Sequence, residues 1–274
     1  MKSYRELINE KESVEDLKGL LEVYEELSAK KMRTIRDRLI MTREFMDKLA
    51  ELSHKVGVDL LQAFEGKKKT AGVLLSAQGG LYGDLIGRVF NDFLKFIDEN
   101  KVEPIIIGSV GKKMFEKSRP KAQYLYLDLN ETDGLEDELK EISKMLESYV
   151  KITVFYGKFK NIAIQNTDKK EMAGKVFEIM SGAEKETGNK RTKFIYEPSV
   201  KLISNKFGQN ILTSMFGNFW EEHELAKQAS RLMQLDQAID EIQEQNDKLG
   251  LMARRSKKQL ENKKQTTRSM RILI

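Results

Sequence analysis

The sequence predicts a protein of the α+β or α/β class, with a long antiparallel coiled coil of the N- and C-terminal helices and a central Rossmann-like α/β domain. Two proline-free terminal segments predict the coiled coil, because both carry apolar residues in a seven-residue repeat. Short β-rich runs that alternate with helical patterns predict the central domain. The expected boundaries are a discontinuous coiled-coil shaft at residues 1–58 and 199–274 and a central domain at 67–197.

The first predicted helix begins at Ser3, ends near Val56 and is interrupted only by Gly19. Its predicted seam consists of Leu7, Val14, Leu21, Ile35 and Leu49, with Leu17, Tyr24, Phe45 and Leu52 at the flanking positions. Because the other seam positions are polar, a partly solvated surface helix is the alternative interpretation. These polar residues are Ser28, Lys31, Arg38 and Thr42. A helix of this length, about 80 Å at about 1.5 Å per residue, needs a partner along it.

The middle of the chain contains short runs rich in β-forming residues. They are Gly72–Ser76, Pro104–Gly108, Gln123–Leu129, Lys151–Tyr156, Phe159–Gln165 and Lys193–Tyr196. The first two are continuous apolar runs, typical of strands that are covered on both faces. Helices are predicted at Leu81–Asn100, Gly111–Lys117 and Gly134–Tyr149, a hairpin turn at 156–158, and a short helix with a mobile loop at 168–190.

The C-terminal helix is predicted from Pro198 to Ile274, with a more regular heptad pattern than the first helix. One core position holds Leu225, Leu232, Ile239 and Ala253, and the other holds Leu235, Ile242 and Leu249. Because one helix enters the central domain and the other leaves it, we expect them to pair antiparallel. Val14 would then lie near Ile242 or Leu249, and Leu49 near Leu225. Since the second helix is longer, we expect it to continue beyond Ala253 as a single helix.

The composition excludes several classes of protein. The chain has no cysteine, which rules out disulfides and thiolate metal sites, and no run of about eighteen apolar residues that would span a bilayer. Its first twenty residues are too charged for the apolar core of a signal peptide. The expected location is the cytosol, or the inner side of a membrane reached through partners. The net charge of +5 does not by itself indicate nucleic-acid binding.

Two glycine-containing stretches have some features of nucleotide-binding loops. Gly79–Gly87 follows a strand and opens a helix, but its spacing departs from G-x-G-x-x-G. Tight strand-to-helix packing is therefore the favoured interpretation, with Gly80 and Gly83 as structural glycines, and a nucleotide cofactor is the alternative. Gly66–Thr70 lacks the upstream glycine of a phosphate loop and precedes its strand, which indicates a solvated linker.

The other residue types that carry chemistry predict no catalytic, metal or cofactor site. His54 and His223 have no second ligand at metal spacing, and Trp220 is expected to be a packing residue. No Ser/His/Asp set and no carboxylate pair occurs at a recognisable strand end. We therefore do not expect the chain to be an enzyme by itself.

Several motifs lie along nearly the whole chain. They are Ser13-Val14 and Leu27–Arg33 in the first helix, Gly80–Leu85 and Gly108–Phe115 in the central domain, and Ala229–Arg231, Asp236, Ala238 and Asp247–Leu249 in the last helix. They resemble the motifs of the central-stalk gamma subunit of F-type ATP synthases, which include V-S/A-A-x-K-L/M-R, G-L-C/A-G-G-L, A-S-R-M and D-K-L. The chain departs from that family at Gln78-Gly79 and at Lys257–Lys264, so it resembles a divergent member.

The resemblance implies a non-catalytic subunit of a rotary, hydrogen-ion-transporting ATP synthase. The chain would be the central rotor shaft of an F1Fo ATP synthase or ATPase, coupling rotation of the membrane ring to conformational change at the catalytic sites of the alpha3beta3 ring. The implied partners are the F1 alpha and beta subunits, the epsilon subunit and the c-ring of Fo, with no direct nucleic acid. The implied location is peripheral, at the cytoplasmic face of the cell membrane. Shaft contacts with the catalytic ring are expected at Lys30, Lys31, Arg33, Arg254, Arg255, Lys257 and Lys258.

Two other functions remain open from the sequence. One is a nucleic-acid-binding coiled-coil protein that uses the basic C-terminal helix, although that helix lacks interleaved aromatic residues. Its basic residues are Arg254, Arg255, Lys257, Lys258, Lys263, Lys264, Arg268 and Arg271, against Glu261 alone. The other is the shaft of an F1-like ATPase that is uncoupled from proton flow.

Overall fold

The computed structural model describes residues 3–56, 69–129, 135–172 and 199–272. The helices in these ranges are α1 (Tyr4–Val56), α2 (Leu85–Glu99), α3 (Ser109–Ser118), α4 (Leu135–Leu146) and α5 (Val200–Ile272). The strands are β1 (Lys69–Leu75), β2 (Glu103–Ile107), β3 (Leu125–Leu127), β4 (Tyr149–Phe159) and β5 (Gln165–Glu171). Some predictions concern residues outside the described ranges. They are the strand Lys193–Tyr196, the end of the segment predicted at 168–190, and the domain boundaries at 58, 67 and 197.

The strands form one five-stranded sheet in the order β3-β2-β1-β4-β5. β1 pairs in parallel with both β2 and β4, and β3 pairs in parallel with β2, whereas β5 is antiparallel to β4. Because the chain order changes direction between β1 and β4, the four parallel strands have a Rossmann-like topology. The predicted fold class, long terminal helices with a central α/β domain, is confirmed.

The sheet is covered by helices on both faces, which explains the continuous apolar runs in its central strands. On one face Val73 and Leu75 pack with residues of α4 and α5, including Ile142 and Phe216. On the other face Leu74 packs with side chains of α2 and α3, including Phe93 and Phe115. The prediction that the first two strands are buried on both sides is therefore confirmed.

The predicted position of the hairpin turn is wrong. Residues 156–158 lie inside β4, where Gly157 is opposite Thr167 of β5, and the connection runs through residues 160–164. Gly157 is needed inside the strand, because an added Cβ would lie 3.1 Å from Leu85 Cδ2 and 3.3 Å from His223 Nδ1. The predicted strand at Phe159–Gln165 is likewise displaced, since β5 begins at Gln165 and includes Asp168.

The chain divides into two compact units, 1–30 with 231–274 and 31–230. In the first unit α1 and α5 are antiparallel, because Lys18 Nζ donates to Gln243 Oε1 (2.8 Å) and Asn246 Nδ2 donates to Glu15 Oε1 (3.2 Å). The step from Lys18 to Glu15, towards the N-terminus of α1, thus corresponds to the step from Gln243 to Asn246, towards the C-terminus of α5. The N-terminus of α1 has the reciprocal bonds of a capping box, with Glu6 N donating to Ser3 Oγ and Ser3 N donating to Glu6 Oε2.

The seam of α1 differs in part from the prediction. Leu17 and Tyr24 are 47% and 48% exposed, whereas Lys11, Lys18 and Glu25 are partly buried at the second seam position of the first unit. The aliphatic part of a lysine can cover an apolar surface while its ammonium reaches a polar partner, as Lys18 does with Gln243. The prediction that Leu17 and Tyr24 flank the seam with α5 is therefore wrong.

In the second unit α1 also packs along α5, but in a different register from the predicted one. Leu225 clusters with Ile35 and Leu39, about three helical turns before the expected partner Leu49. In the first unit Ala253 is the last buried residue of α5 among the side chains described up to residue 269, and residues 257–269 are all exposed. The expected change beyond Ala253, from a packed helix to a single helix, is confirmed for these residues.

Candidate functional site: a buried anchor on α5 and an exposed basic tip

A segment of α5 is enclosed on all sides. Every residue from Phe219 to Ser230 is buried, whereas a helix on a protein surface buries only one face. The segment includes polar and charged residues, which require partners when water is excluded. We call four of them, His223, Glu224, Lys227 and Ser230, the anchor of α5.

His223 joins α5 to the ends of two strands. Its Nδ1 accepts a hydrogen bond from the backbone N–H of Gly157 in β4 (2.9 Å). Its Nε2 lies 3.1 Å from the carbonyl oxygen of Ser76, directly after β1, and must donate there because a carbonyl only accepts. The imidazole is fully buried and, with this pair of partners, neutral with its proton on Nε2. Leu74 is opposite Phe155, so the imidazole bridges the two strands two residues further along each, at Ser76 and Gly157.

Lys227 lies one turn further along the helix and is 1% exposed. Its ammonium forms a hydrogen-bonded ion pair with Glu224, which is itself buried. The Nζ atom also lies 5.3 Å from the ring centroid of Tyr82 and 5.6 Å from that of Trp220. The carboxylate and the two aromatic rings together stabilise the buried ammonium of Lys227. An unpaired ammonium would be strongly destabilising at the same position.

Ser230 connects α5 to the glycine turn that follows β1. Its hydroxyl donates to the carbonyl oxygen of Tyr82 at 2.8 Å. Within the turn Leu81 and Gly83 have φ values of 68° and 52°, so the backbone is left-handed at two positions. Only Gly83 of the two predicted structural glycines has such a conformation. A Cβ on Gly80 would meet no atom within 4 Å, and the structure gives no steric reason for glycine there.

The anchor occupies the crevice in which a Rossmann-like sheet normally binds its ligand. That crevice lies at the carboxyl ends of the strands, where the strand order reverses, which in this chain is between β1 and β4. His223 is hydrogen-bonded to both of these strands, and Tyr82 of the glycine turn contacts Lys227 and Ser230. A dinucleotide at this position would have to displace α5. The geometry therefore favours the packing interpretation of Gly79–Gly87 over the cofactor interpretation.

The other side of the enclosed segment faces α1. Thr42 Oγ1 donates to Glu221 Oε2 (3.1 Å), and Arg38 Nε lies 3.9 Å from Glu221 Oε1. Burial raises the pKa of Glu221 above its ordinary value, although the Thr42 hydroxyl and the Arg38 guanidinium oppose the change. Arg43 pairs with the neighbouring Glu222, with 3.7 Å between Nη2 and Oε1. α5 is thus held between the sheet and α1 by polar contacts on both sides.

The predicted contact residues lie on two different helices, α1 and α5. Lys30, Lys31 and Arg33 lie exposed near the middle of α1, and Arg254, Arg255, Lys257 and Lys258 lie exposed on α5. In the antiparallel pair of the first unit, Lys18 is opposite Gln243, so residues after 253 lie towards the beginning of α1 and away from Lys30. We call residues 254–269, all exposed except the partly buried Ser256, the basic tip. Its proposed role stays a prediction.

The anchor as a unit is not predicted by the sequence. The sequence excludes His223 as a metal ligand and predicts Trp220 as a packing residue, but it does not single out Glu224 and Lys227. The available signal was the i,i+3 spacing of an acid and a base, which more often marks an exposed helix pair. In the described ranges no three metal-ligating side chains come together, and no helix is both long and apolar enough to cross a membrane.

Comparison with known proteins agrees with the sequence resemblance. A family model described as ATP synthase matches residues 3–260. The chain belongs to this ATP synthase family. Curated relatives are ATP synthase gamma chains, such as that of Chloroherpeton thalassium (27% identity, 89% of this chain and 88% of the relative). That of Ruthia magnifica is 22% identical over 92% of both chains.

Solved structures of ATP synthases share the fold. A chain in the Euglena gracilis mitochondrial OSCP/F1/c-ring assembly has a TM-score of 0.66 and 13% identity, covering 98% of this chain and 93% of that one. A chain in the Tetrahymena thermophila central stalk and c-ring has a TM-score of 0.59 and 16% identity, covering 80% and 99%. In this ATP synthase family member, two of the resembling motifs meet, because Ser230 of Ala229–Arg231 donates to Tyr82 of Gly80–Leu85.

Proposed function

We propose that the chain is the central rotor shaft of an F1Fo ATP synthase or ATPase. The observation that carries the proposal is the antiparallel α1/α5 pair whose longer helix is anchored in the sheet, in a chain that matches the ATP synthase family over residues 3–260. A shaft needs stiffness and a firm attachment, and it needs no catalytic residue of its own. Nucleotide, magnesium and catalytic side chains would belong to the partner subunits.

The mechanism that follows is allosteric coupling through a rigid body. A helix pair has no threefold symmetry, so within an alpha3beta3 ring it presents a different surface to each catalytic site and favours a different conformation there. Rotation exchanges these conformations among the three sites. Torque between the central domain and α5 would pass through the anchor.

The expected partners follow from the same role. The shaft, residues 1–58 and 199–274, would lie in the alpha3beta3 ring, and the central domain, residues 67–197, would be the foot that binds the epsilon subunit and the c-ring. Chains of the same fold are found in the central stalk/c-ring structure of Tetrahymena thermophila and in the ATP synthase rotor of Euglena gracilis, which supports this proposal. The chain would then be a peripheral protein at the cytoplasmic face of the cell membrane, attached through its partners.

The basic tip and Lys30, Lys31 and Arg33 are the proposed contacts with the catalytic ring. The support is their exposure and their charge, which suits carboxylates on the ring. Partly desolvated charged hydrogen bonds are worth roughly 1.5 to 3 kcal/mol each, whereas exposed pairs contribute about 0 to 1. Contacts at the tip would therefore depend on how far the ring excludes water.

Purification of the tagged chain from its native cells tests the proposal. We expect alpha, beta and epsilon subunits to copurify, with ATPase activity in the complex and none in the isolated chain. Proton pumping by the complex in vesicles distinguishes a coupled synthase from an uncoupled F1-like ATPase. Copurification of nucleic acid without ATPase subunits would contradict the proposal.

A further inference from the structure

The first unit has a second apolar stripe on α1, besides the seam that packs against α5. Leu17, Leu20, Tyr24 and Leu27 are separated by three, four and three residues, so they lie on one face of the helix. Their exposed fractions are 47%, 51%, 48% and 50%, and neighbouring Val23 is 54% exposed. Single exposed apolar residues are ordinary, but five in eleven residues on one face indicate an interaction surface. We call these five residues the outer stripe.

The outer stripe is not part of the α1/α5 interface. The seam residues of the same helical turns are more buried, as Leu21 and Lys18 show, and Lys18 reaches Gln243 of α5. Gly19 lies between the first two stripe residues, and a Cβ there would meet nothing within 4 Å. A mid-helix glycine costs about 1 kcal/mol relative to alanine and leaves room for another backbone to approach.

The charges around the outer stripe define the chemistry of its partner. Between residues 10 and 26 the sequence has seven carboxylates, which are Glu10, Glu12, Glu15, Asp16, Glu22, Glu25 and Glu26. The two lysines in this stretch are held by the same helix, with Lys11 Nζ at 3.1 Å from Glu15 Oε1 and Lys18 Nζ at 3.5 Å from Glu22 Oε1. The stripe thus has an acidic surround over residues 10–26, with Asp16 and Glu26 both exposed, and it borders the exposed Lys30 and Lys31 only at its C-terminal end.

We propose that the outer stripe binds an amphipathic α-helix of a neighbouring subunit, whose apolar seam is flanked by lysine or arginine. The three-and-four spacing of the stripe is that of a coiled-coil seam, and a helix is the element that interdigitates with it. Basic flanking residues on the partner pair with the carboxylates that surround the stripe. The inference rests on the proposed function, because it assumes that the chain works within an assembly.

Paired substitutions in the assembled complex test this inference. Leu20→Asp and Tyr24→Asp are expected to raise the dissociation constant of the chain from its complex at least tenfold. Their effect on the thermal melting of the isolated chain should be small, because both side chains are half exposed. Ile40→Asp is the matched control, since Ile40 is on the same helix and 49% exposed but lies outside the stripe. It should change the dissociation constant less than twofold.

A photocrosslinking residue at position 20 identifies the bound element. The expected product joins position 20 to a partner helix that has lysine or arginine on both sides of an apolar seam, and Glu26→Lys should weaken that complex. Crosslinks to an acidic helix, to a sheet or to a second copy of this chain would overturn the inference. Unchanged assembly of Leu20→Asp would overturn it too. By contrast, a chain that fails to copurify with ATP-hydrolysing subunits contradicts the proposed function itself.

Discussion

Both ring nitrogens of His223 are used by backbone groups of different strands. Replacement by leucine would leave the N–H of Gly157 and the carbonyl of Ser76 buried without a partner. Such unsatisfied groups cost about 1 to 3 kcal/mol each, so we expect His223→Leu to lower the unfolding free energy by about 2 to 4 kcal/mol. His223→Gln keeps a donor and an acceptor and should lose less. Denaturant titration measures the unfolding free energies of both variants. Equal losses of stability in the two would contradict the hydrogen-bonding role of His223.

The two glycines of the turn after β1 should respond differently to alanine. Gly83 has φ 52°, and a left-handed conformation costs an L-residue about 1 to 2 kcal/mol. Gly83→Ala should therefore destabilise by about that amount. Gly80→Ala is the matched control and should be neutral or slightly stabilising, because open space surrounds the added Cβ. Thermal unfolding of both variants measures the contrast, and similar melting temperatures would contradict it.

Glu221 makes stability depend on pH in a predictable direction. Since burial raises its pKa in the folded state above 4.5, the folded chain binds this proton more tightly than the unfolded chain. The contribution of Glu221 to stability therefore falls as the pH rises through the window above 4.5. Glu221→Gln should remove that fall, so its unfolding free energy relative to the wild type should increase across this window. Denaturant titrations at several pH values measure the difference, and a constant difference would contradict the shift.

The pairing of α1 and α5 could be predicted from the sequence, but part of their interface could not. Heptad spacing identified Leu7, Leu235 and Ala253, all of which are buried. It misassigned Leu17 and Tyr24, because an apolar pattern does not distinguish a seam with α5 from a second face. Lysine stems complete the actual seam, and sequence patterns count lysine as polar.

The central domain shows a similar limit at Gly157. A glycine between two β-rich runs is the usual sign of a hairpin turn, and the chain uses it inside β4 for close approach to Leu85 and His223. Part of the need for glycine at position 157 comes from His223 of α5, which is distant in sequence. Local patterns thus predicted four of the five described strands and the five described helices, whereas contacts between distant segments determined the turn and the anchor.

Paired cysteines and a short bifunctional thiol reagent test the register of the helix pair. Cysteines at Lys18 and Gln243 should be joined readily, since these two side chains reach each other across the pair. Cysteines at Leu17 and Gln243 are the control and should crosslink poorly, because Leu17 faces away from α5. Gel mobility under non-reducing conditions measures both yields. Efficient crosslinking through position 17 would contradict the observed seam.

The basic tip is a separable element. Lys257→Glu with Lys258→Glu should leave the chain folded, because both side chains are exposed. If the tip contacts ring carboxylates, the double reversal should lower the ATPase rate of the reconstituted complex several-fold at low salt. Lys113→Glu with Lys117→Glu on α3 is the control with the same charge change. Equal ATPase rates for the two double variants would contradict the tip contact.

The proposed role of the whole chain is mechanical, because a rotor shaft acts through its stiffness and its attachments. α5 is a continuous helix that is enclosed by the sheet and α1 in one unit and paired with α1 in the other. Such a helix can transmit torque only if both attachments hold while the partners change conformation. In the proposed rotor, the anchor and the helix pair would supply these attachments.

Single-molecule rotation distinguishes a rotor shaft from a static subunit. The alpha3beta3 ring is fixed to a surface, and a bead is attached to a cysteine placed at Lys160, an exposed position in the β4–β5 connection. We expect the bead to turn in one direction, in three steps per revolution, only when ATP is present. A complex that hydrolyses ATP at its full rate while the bead stays still would contradict the rotor assignment.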